Sequence, residues 1–132
     1  MYVSIKGSIK DVFDSALKSA ALAALCDGIR DAVDADKNFS TKKAEKVTVL
    51  LAASASVSAD DKAQPKRLKA TVGIDGVLTG GGAAQAFKAT GNGNMDGLNV
   101  KKLDRDVAGL IDSIVSDLMK DKVLPQMLKM KP

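Results

Sequence analysis

Five oxygen-bearing side chains fall at a spacing that could hold a hard cation: Asp34, Asp36, Asn38, Ser40 and Glu45. A hard cation needs several oxygens closing round it from one turn of chain, and these residues supply them within a single short stretch. Phe39 stands where such a turn needs a glycine to reach a left-handed backbone. Lys42 adds a positive charge close to the ligands. The competing reading of the same residues is a solvated helix-to-strand linker with a polar cap.

Two cationic groups could do a different chemistry. Lys101, Lys102 and Arg105 could grip phosphates, and Lys66, Arg67 and Lys69, with Lys42, Lys43 and Lys46, could meet an acidic partner. Asp104 and Asp106 interrupt the first group, and Asp104 repels the phosphates that Lys102 attracts. Lys102 and Asp106 are also four apart, the spacing of a pair on a solvated helix face. The second group doubles as edge protection, since lysines keep strands from pairing with other chains. Gly91-Asn92-Gly93-Asn94-Met95-Asp96-Gly97 looks like a dinucleotide turn, in which backbone amides and a helix start meet a pyrophosphate. The acidic strand end and parallel unit that should follow are missing, so a flexible loop is the plainer reading.

The missing residue types exclude more than the present ones suggest. The chain has no histidine. That removes Ser-His-Asp and Cys-His nucleophilic catalysis, imidazole acid–base work and ordinary zinc sites. Cys26 is alone, which excludes an intramolecular disulfide and a thiolate-held iron–sulfur centre. Its default role is a buried, inert thiol. No catalytic constellation is legible, and no cofactor is implied apart from the cation just considered.

The elements that would position these residues can be read from periodicity. With 132 residues the chain fits one domain, placed at 1–124 with a C-terminal tail at 125–132. Tyr2, Phe13, Phe39 and Phe87 are the only aromatics, so the core is built from small aliphatic side chains. Alternation over residues 2–6 predicts a short strand. Ser8 with Asp11 forms a partial capping box, and apolar spacing from Ile9 predicts a helix through the alanines at 20–24, bending or stopping at Gly28. Residues 47–59 alternate with odd positions apolar, and 67–74 alternate with even positions apolar, predicting two amphipathic strands. The hairpin between the second and third long strands turns at Asp75-Gly76 or at Gly80-Gly81-Gly82. The triple glycine is preferred because Leu78 keeps the apolar phase past Gly76. A further strand is expected over residues 83–90, then a loop at 91–94. Asn99 is placed to cap a helix whose stripe runs through Val107, Leu110, Ile111, Ile114, Val115 and Leu118. Pro125 is expected to end or kink it.

The order is β-α-β-β-β-α. It predicts an α+β two-layer sandwich, an antiparallel sheet of three or four strands with both helices on one face. Three resemblances accompany it. Residues 34–45 resemble an EF-hand loop, which implies calcium. Residues 9–118 resemble the double-stranded-RNA-binding domain, whose last helix opens with a Lys-Lys-x-x-Lys pattern matched here by Lys101, Lys102 and Arg105, although the chain is longer than that module. Residues 69–94 followed by 100–118 resemble the small α/β domains of bacterial envelope lipoproteins, of the curli-secretion and TolB N-terminal type. That resemblance implies a periplasmic interaction module.

The leading expectation is a small, soluble, bacterial, non-catalytic binding domain that contacts another protein through a sheet face or strand edge. A nucleic-acid binder and a calcium binder are the alternatives. A net charge of +4 favours anionic partners weakly. The start of the chain lacks the basic and long apolar segments of a leader, and no stretch is long enough to span a bilayer. Location is expected to be periplasmic if a leader was removed and cytoplasmic otherwise.

Overall fold

The computed structural model describes residues 1–80 and 85–130. Four strands, β1 (Tyr2–Val12), β2 (Thr48–Ala59), β3 (Arg67–Thr79) and β4 (Gln85–Asp96), form one sheet in the order β1-β2-β3-β4. Helices α1 (Lys18–Asp34) and α2 (Leu103–Leu118) both lie on one face. A further helical turn, Met119–Val123, leads into α3 (Leu124–Lys129). α1 packs over β1 and β2, α2 over β3 and β4, and the two helices pack on each other.

The expected layers and element order are present, but the sheet is mixed. β2 runs antiparallel to β3, and β3 to β4, whereas β1 runs parallel to β2. The cause is the connection: a strand joined to its neighbour through a helix crosses over and returns in the same direction, which a tight hairpin cannot do. The order β1-α1-β2 therefore makes the first pair parallel.

Several boundaries differ from the sequence reading for local reasons. β1 extends to Val12 because its alternation continues beyond Lys6, with Gly7 and Ile9 facing the helices. Gly7 hides the pattern by having no side chain, and α1 needs that space: a Cβ there would stand 2.5 Å from the Cys26 sulfur. The Ser8–Asp11 capping box does not form. Asp14 instead starts the helical segment, its carboxylate accepting the Ala16 N–H at 3.0 Å before a short 3-10 turn and α1. Nor does Gly28 stop α1. It faces α2, where an added Cβ would sit 3.1 Å from Val115, so the glycine lets the two helices approach closely.

β2 and β3 follow their alternation. Val49, Leu51, Ala53, Ala55 and Val57 are buried from one strand, and Leu68, Ala70, Val72, Ile74 and Leu78 from the next. Gly76 is paired inside β3, opposite Leu51 and Phe87, so Asp75-Gly76 is not a turn. Leu78 pairs with Gln85, so the chain reverses between these two residues, and Gly80 has φ +80°. Gly81 and Gly82 of the preferred turn lie outside the described residues.

Residues 91–94 are strand, not loop. Thr71 pairs with Asn92 and Lys69 with Asn94, while Gly91 and Gly93 face α2. An added Cβ on Gly91 or Gly93 would come within 3.3 and 3.1 Å of Ile114, so these glycines seat the helix and do not cradle a phosphate. α2 carries the expected stripe, with Val107, Leu110, Ile111, Ile114, Val115 and Leu118 all buried. Pro125 does not end the helical path. The Leu124 N–H bonds the Met119 carbonyl in a widened turn, which shifts the hydrogen-bond frame just before a residue with no N–H to give. Residues 125–130, read as the start of a tail, are helical to Lys129, and Met127 and Met130 are buried.

Candidate interaction surfaces

Covering one side of the sheet leaves the other open. Facing away from the helices are Ser4, Lys6 and Ser8 of β1, then Leu50 to Ser58 of β2 in alternate positions. Thr71, Asp75 and Val77 follow on β3, and Ala86, Lys88, Thr90 and Asn92 on β4. This surface is mostly hydroxyls, amides and small side chains. Its one apolar row is Leu50, paired to Val77, paired to Ala86. Leu50 and Val77 are 43% and 40% exposed, two large aliphatic residues side by side on the two central strands, near one end of the sheet. The adjoining row, Lys6, Ala52, Asp75 and Lys88, supplies charge beside it.

The cationic group Lys66, Arg67 and Lys69 lies at the far end of the same sheet. All three are exposed. Arg67 reaches across to Asp96, its Nε donating to the carboxylate at 2.7 Å, and that bond raises the guanidinium pKa further. Asp60 organises the neighbouring loop. Its carboxylate accepts the N–H groups of Lys66 and Arg67, both at 3.0 Å, and these bonds hold its pKa below the ordinary carboxylate value.

The residues singled out for a cation are not gathered round one point. The Asp34 carboxylate accepts the Thr41 N–H at 3.1 Å and the Thr41 hydroxyl at 2.9 Å, and the backbone bond is the largest cause of its lowered pKa. Asp36 accepts both the backbone and side-chain N–H of Asn38 at 2.9 Å. Ser40 Oγ accepts the Lys42 N–H, and Glu45 stands 3.9 Å from the chain's N-terminal ammonium. Phe39 turns into the core. Among the described residues no three of the acidic or cysteine side chains cluster as metal ligands. The stretch ties the end of α1 to β1 and β2.

Lys101 and Lys102 lie on the 3-10 turn that precedes α2, and Arg105 on its first turn; all three are exposed. Asn99 caps that turn, its side chain accepting the Lys101 N–H at 3.1 Å. Asp106 accepts the Asn99 N–H at 2.8 Å and makes no ion pair with Lys102. Asp104 projects from the same turn and keeps the local charge mixed.

Sequence reasoning expected a sheet face or strand edge as the contact surface but did not identify which strands form the edges. β1 and β4 are its outermost strands. The β4 edge is partly occupied: the Lys122 ammonium donates to the Thr90 carbonyl at 3.0 Å. Among the described residues the β1 edge is occupied at its start alone, where Val3 N–H donates to the Ser40 carbonyl and Ser40 N–H to the Met1 carbonyl. The signal for β1 was the alternation past Gly7; for Lys122 there was none, because the contact joins residues 32 apart in the chain.

The fold is similar to that of two solved bacterial proteins. Rare lipoprotein B from Shewanella oneidensis has this fold, with a TM-score of 0.50, 11% identity, and 97% of this chain matched to 98% of that one. A putative lipoprotein from Caulobacter crescentus is similar to the same degree, with a TM-score of 0.50 and 12% identity over 91% of this chain and 88% of that one. No protein-family model matches the chain, and no curated protein is similar to it in sequence. Among the described residues, no helix is long and apolar enough to cross a membrane.

Proposed function

We propose that the chain is a non-catalytic interaction domain of the bacterial cell envelope. The observation that carries this reading is the uncovered sheet face, with Leu50 and Val77 exposed in one row beside Lys6, Asp75 and Lys88. An apolar row set in a polar surface suits contact with another protein. Lys66 and Lys69, at the cationic end of that face, serve as its secondary contact with acidic groups. The fold shared with two lipoproteins supports an envelope location. Absence of histidine from the sequence favours binding over catalysis.

The test is site-specific photo-crosslinking in the source cells, followed by fractionation. A photoreactive residue at Leu50 should give a discrete adduct in the envelope fraction. The same residue at Ala23, exposed on α1, should not. Adducts of equal yield from both positions, or a protein found only in the cytoplasmic fraction without an adduct, would overturn the proposal.

A further inference from the structure

The two edges of the sheet are not equivalent, and the difference points to one of them as a docking strand. On β4, Lys122 covers the Thr90 carbonyl, and α2 rests on Gly91 and Gly93. An edge guarded by a lysine and a packed helix is a protected one. On β1, the Val3 N–H points outward, since it reaches Ser40. Strand alternation then turns the N–H and carbonyl groups of Ile5 and Gly7 the same way, and those of Ile9 up to the irregularity that follows it. Beyond the Ser40 bridge these groups have no backbone partner among the described residues. The molecule itself thus begins a fifth strand at Tyr2 and abandons it.

The space beyond is a groove of about 410 Å³ beside β1, lined by Ile5, Cys26, Arg30, Thr41 and Lys42 among others. Ile5 and Cys26 are half-buried in its lining, and further along the same edge Ile9 of β1 and Leu22 of α1, which lies beside Gly7, are half-buried as well. Its rim is cationic. Lys42 borders the groove, and Lys6 and Lys10 project from β1, all three exposed and without an ion pair among the described residues. Of the carboxylates on α1, Asp27 is paired with Arg30 at 3.0 Å and Asp34 accepts from Thr41, whereas Asp31, like Asp11 beside Lys10, is exposed and in no ion pair among the described residues.

We propose that the β1 edge is a second docking site of this domain, beside the open face, taking up an extended segment in which apolar and acidic residues alternate. The segment adds as a strand from Val3 to Ile9. Its backbone satisfies the outward groups of Ile5, Gly7 and Ile9. Its apolar side chains cover Ile5 and Leu22, and its carboxylates lie beside Lys6 and Lys10. Strand addition of this kind takes affinity from main-chain bonds and specificity from alternate side chains. The proposal rests on the reading of the chain as an interaction domain and names the partner's chemistry.

A short capped peptide alternating valine and glutamate is the probe, with a valine–lysine twin as control. Amide exchange of the isotope-labelled full chain, followed by NMR, should show slowed exchange at Ile5, Gly7 and Ile9 with the glutamate peptide and no change with the lysine peptide. Lys6→Glu combined with Lys10→Glu replaces two exposed side chains and should weaken binding on the order of tenfold, as two cross-strand charge pairs are lost. Methylating the peptide's edge-facing amides should abolish binding. Protection appearing instead at Thr90, Asn92 and Asn94 would overturn the β1 assignment while leaving an interaction domain. Equal binding of both peptides would overturn the acidic partner. Absence of protection anywhere at millimolar peptide would overturn the docking strand, whereas the interaction-domain reading falls only if the cross-linking at Leu50 also fails.

Discussion

Replacing Gly7 with alanine tests how β1 and α1 meet. The added Cβ would stand 2.5 Å from the Cys26 sulfur and 3.5 and 3.6 Å from methyl groups of Leu22 and Leu25. The last two are ordinary contacts, and the first is an overlap. Forcing extra volume into a packed site costs about 1–3 kcal/mol. Alanine recovers about 0.5–1 kcal/mol of the glycine's entropic penalty within a strand. The net expectation is a loss of about 1–2 kcal/mol, read as a lower urea midpoint at unchanged slope. Removing the obstacle should reverse it. Gly7→Ala with Cys26→Ala should be more stable than the sum of the single changes by about 1–2 kcal/mol, well above the few tenths seen between sites that do not touch. Urea unfolding of the four proteins measures this coupling. Strict additivity would refute the close approach. A gain of about 0.4–1 kcal/mol from Gly7→Ala alone would refute the overlap with Cys26, because that is what alanine contributes where it fits without strain.

Other consequences follow from the packing and charge. Ile74→Ala, at a fully buried position in the middle of β3, should cost about 2–5 kcal/mol in thermal or chemical unfolding. Met127→Ala should cost a comparable amount because α3 delivers that side chain to the core, while Leu128→Ala, 53% exposed, should stay within about 0.5 kcal/mol. Equal, small effects at both positions would show that the C-terminal helix does not dock. Asp34 and Asp60 are held below their ordinary value of 3.8 by backbone N–H groups, so their contribution is present above about pH 4 and is lost as pH falls through their folded values. Stability of the native protein should therefore decline below about pH 4, and Asp60→Asn should flatten that part of the curve. An unchanged slope in the variant would contradict the role of those bonds.

The parts of the fold visible in the sequence are those where side chains carry the period. β2 and β3 alternate with branched and small apolar residues, and α2 keeps an unbroken stripe, so each could be read directly. Glycine erased the pattern elsewhere. Gly7, Gly91 and Gly93 occupy inward positions because a helix lies against them, and a residue with no side chain looks like a turn when only types are counted. Pro125, read as ending or kinking the helix, does not end it, since its effect depends on whether the preceding turn can widen, which is a matter of packing. The parallel pairing of β1 was available in principle from the strand-helix-strand order. The exposed surfaces were less legible. Leu50 was the only large apolar residue at an outward position of β2, and its alignment with Val77 depends on a register that no local pattern specifies. The residues chosen for a cation and for phosphates were found by type and spacing. The fold gives most of the former to backbone donors and sets the latter among carboxylates.

Leu50 and Val77 can be changed together to aspartate, and that double variant tests the open sheet face most directly. Neither side chain reaches the core, so circular dichroism should match the native protein and the facing aspartates should lower the melting temperature only modestly, while the envelope adduct formed from a photoreactive residue at neighbouring Ala52 should disappear. A well-folded double variant that still yields the full adduct would contradict the account.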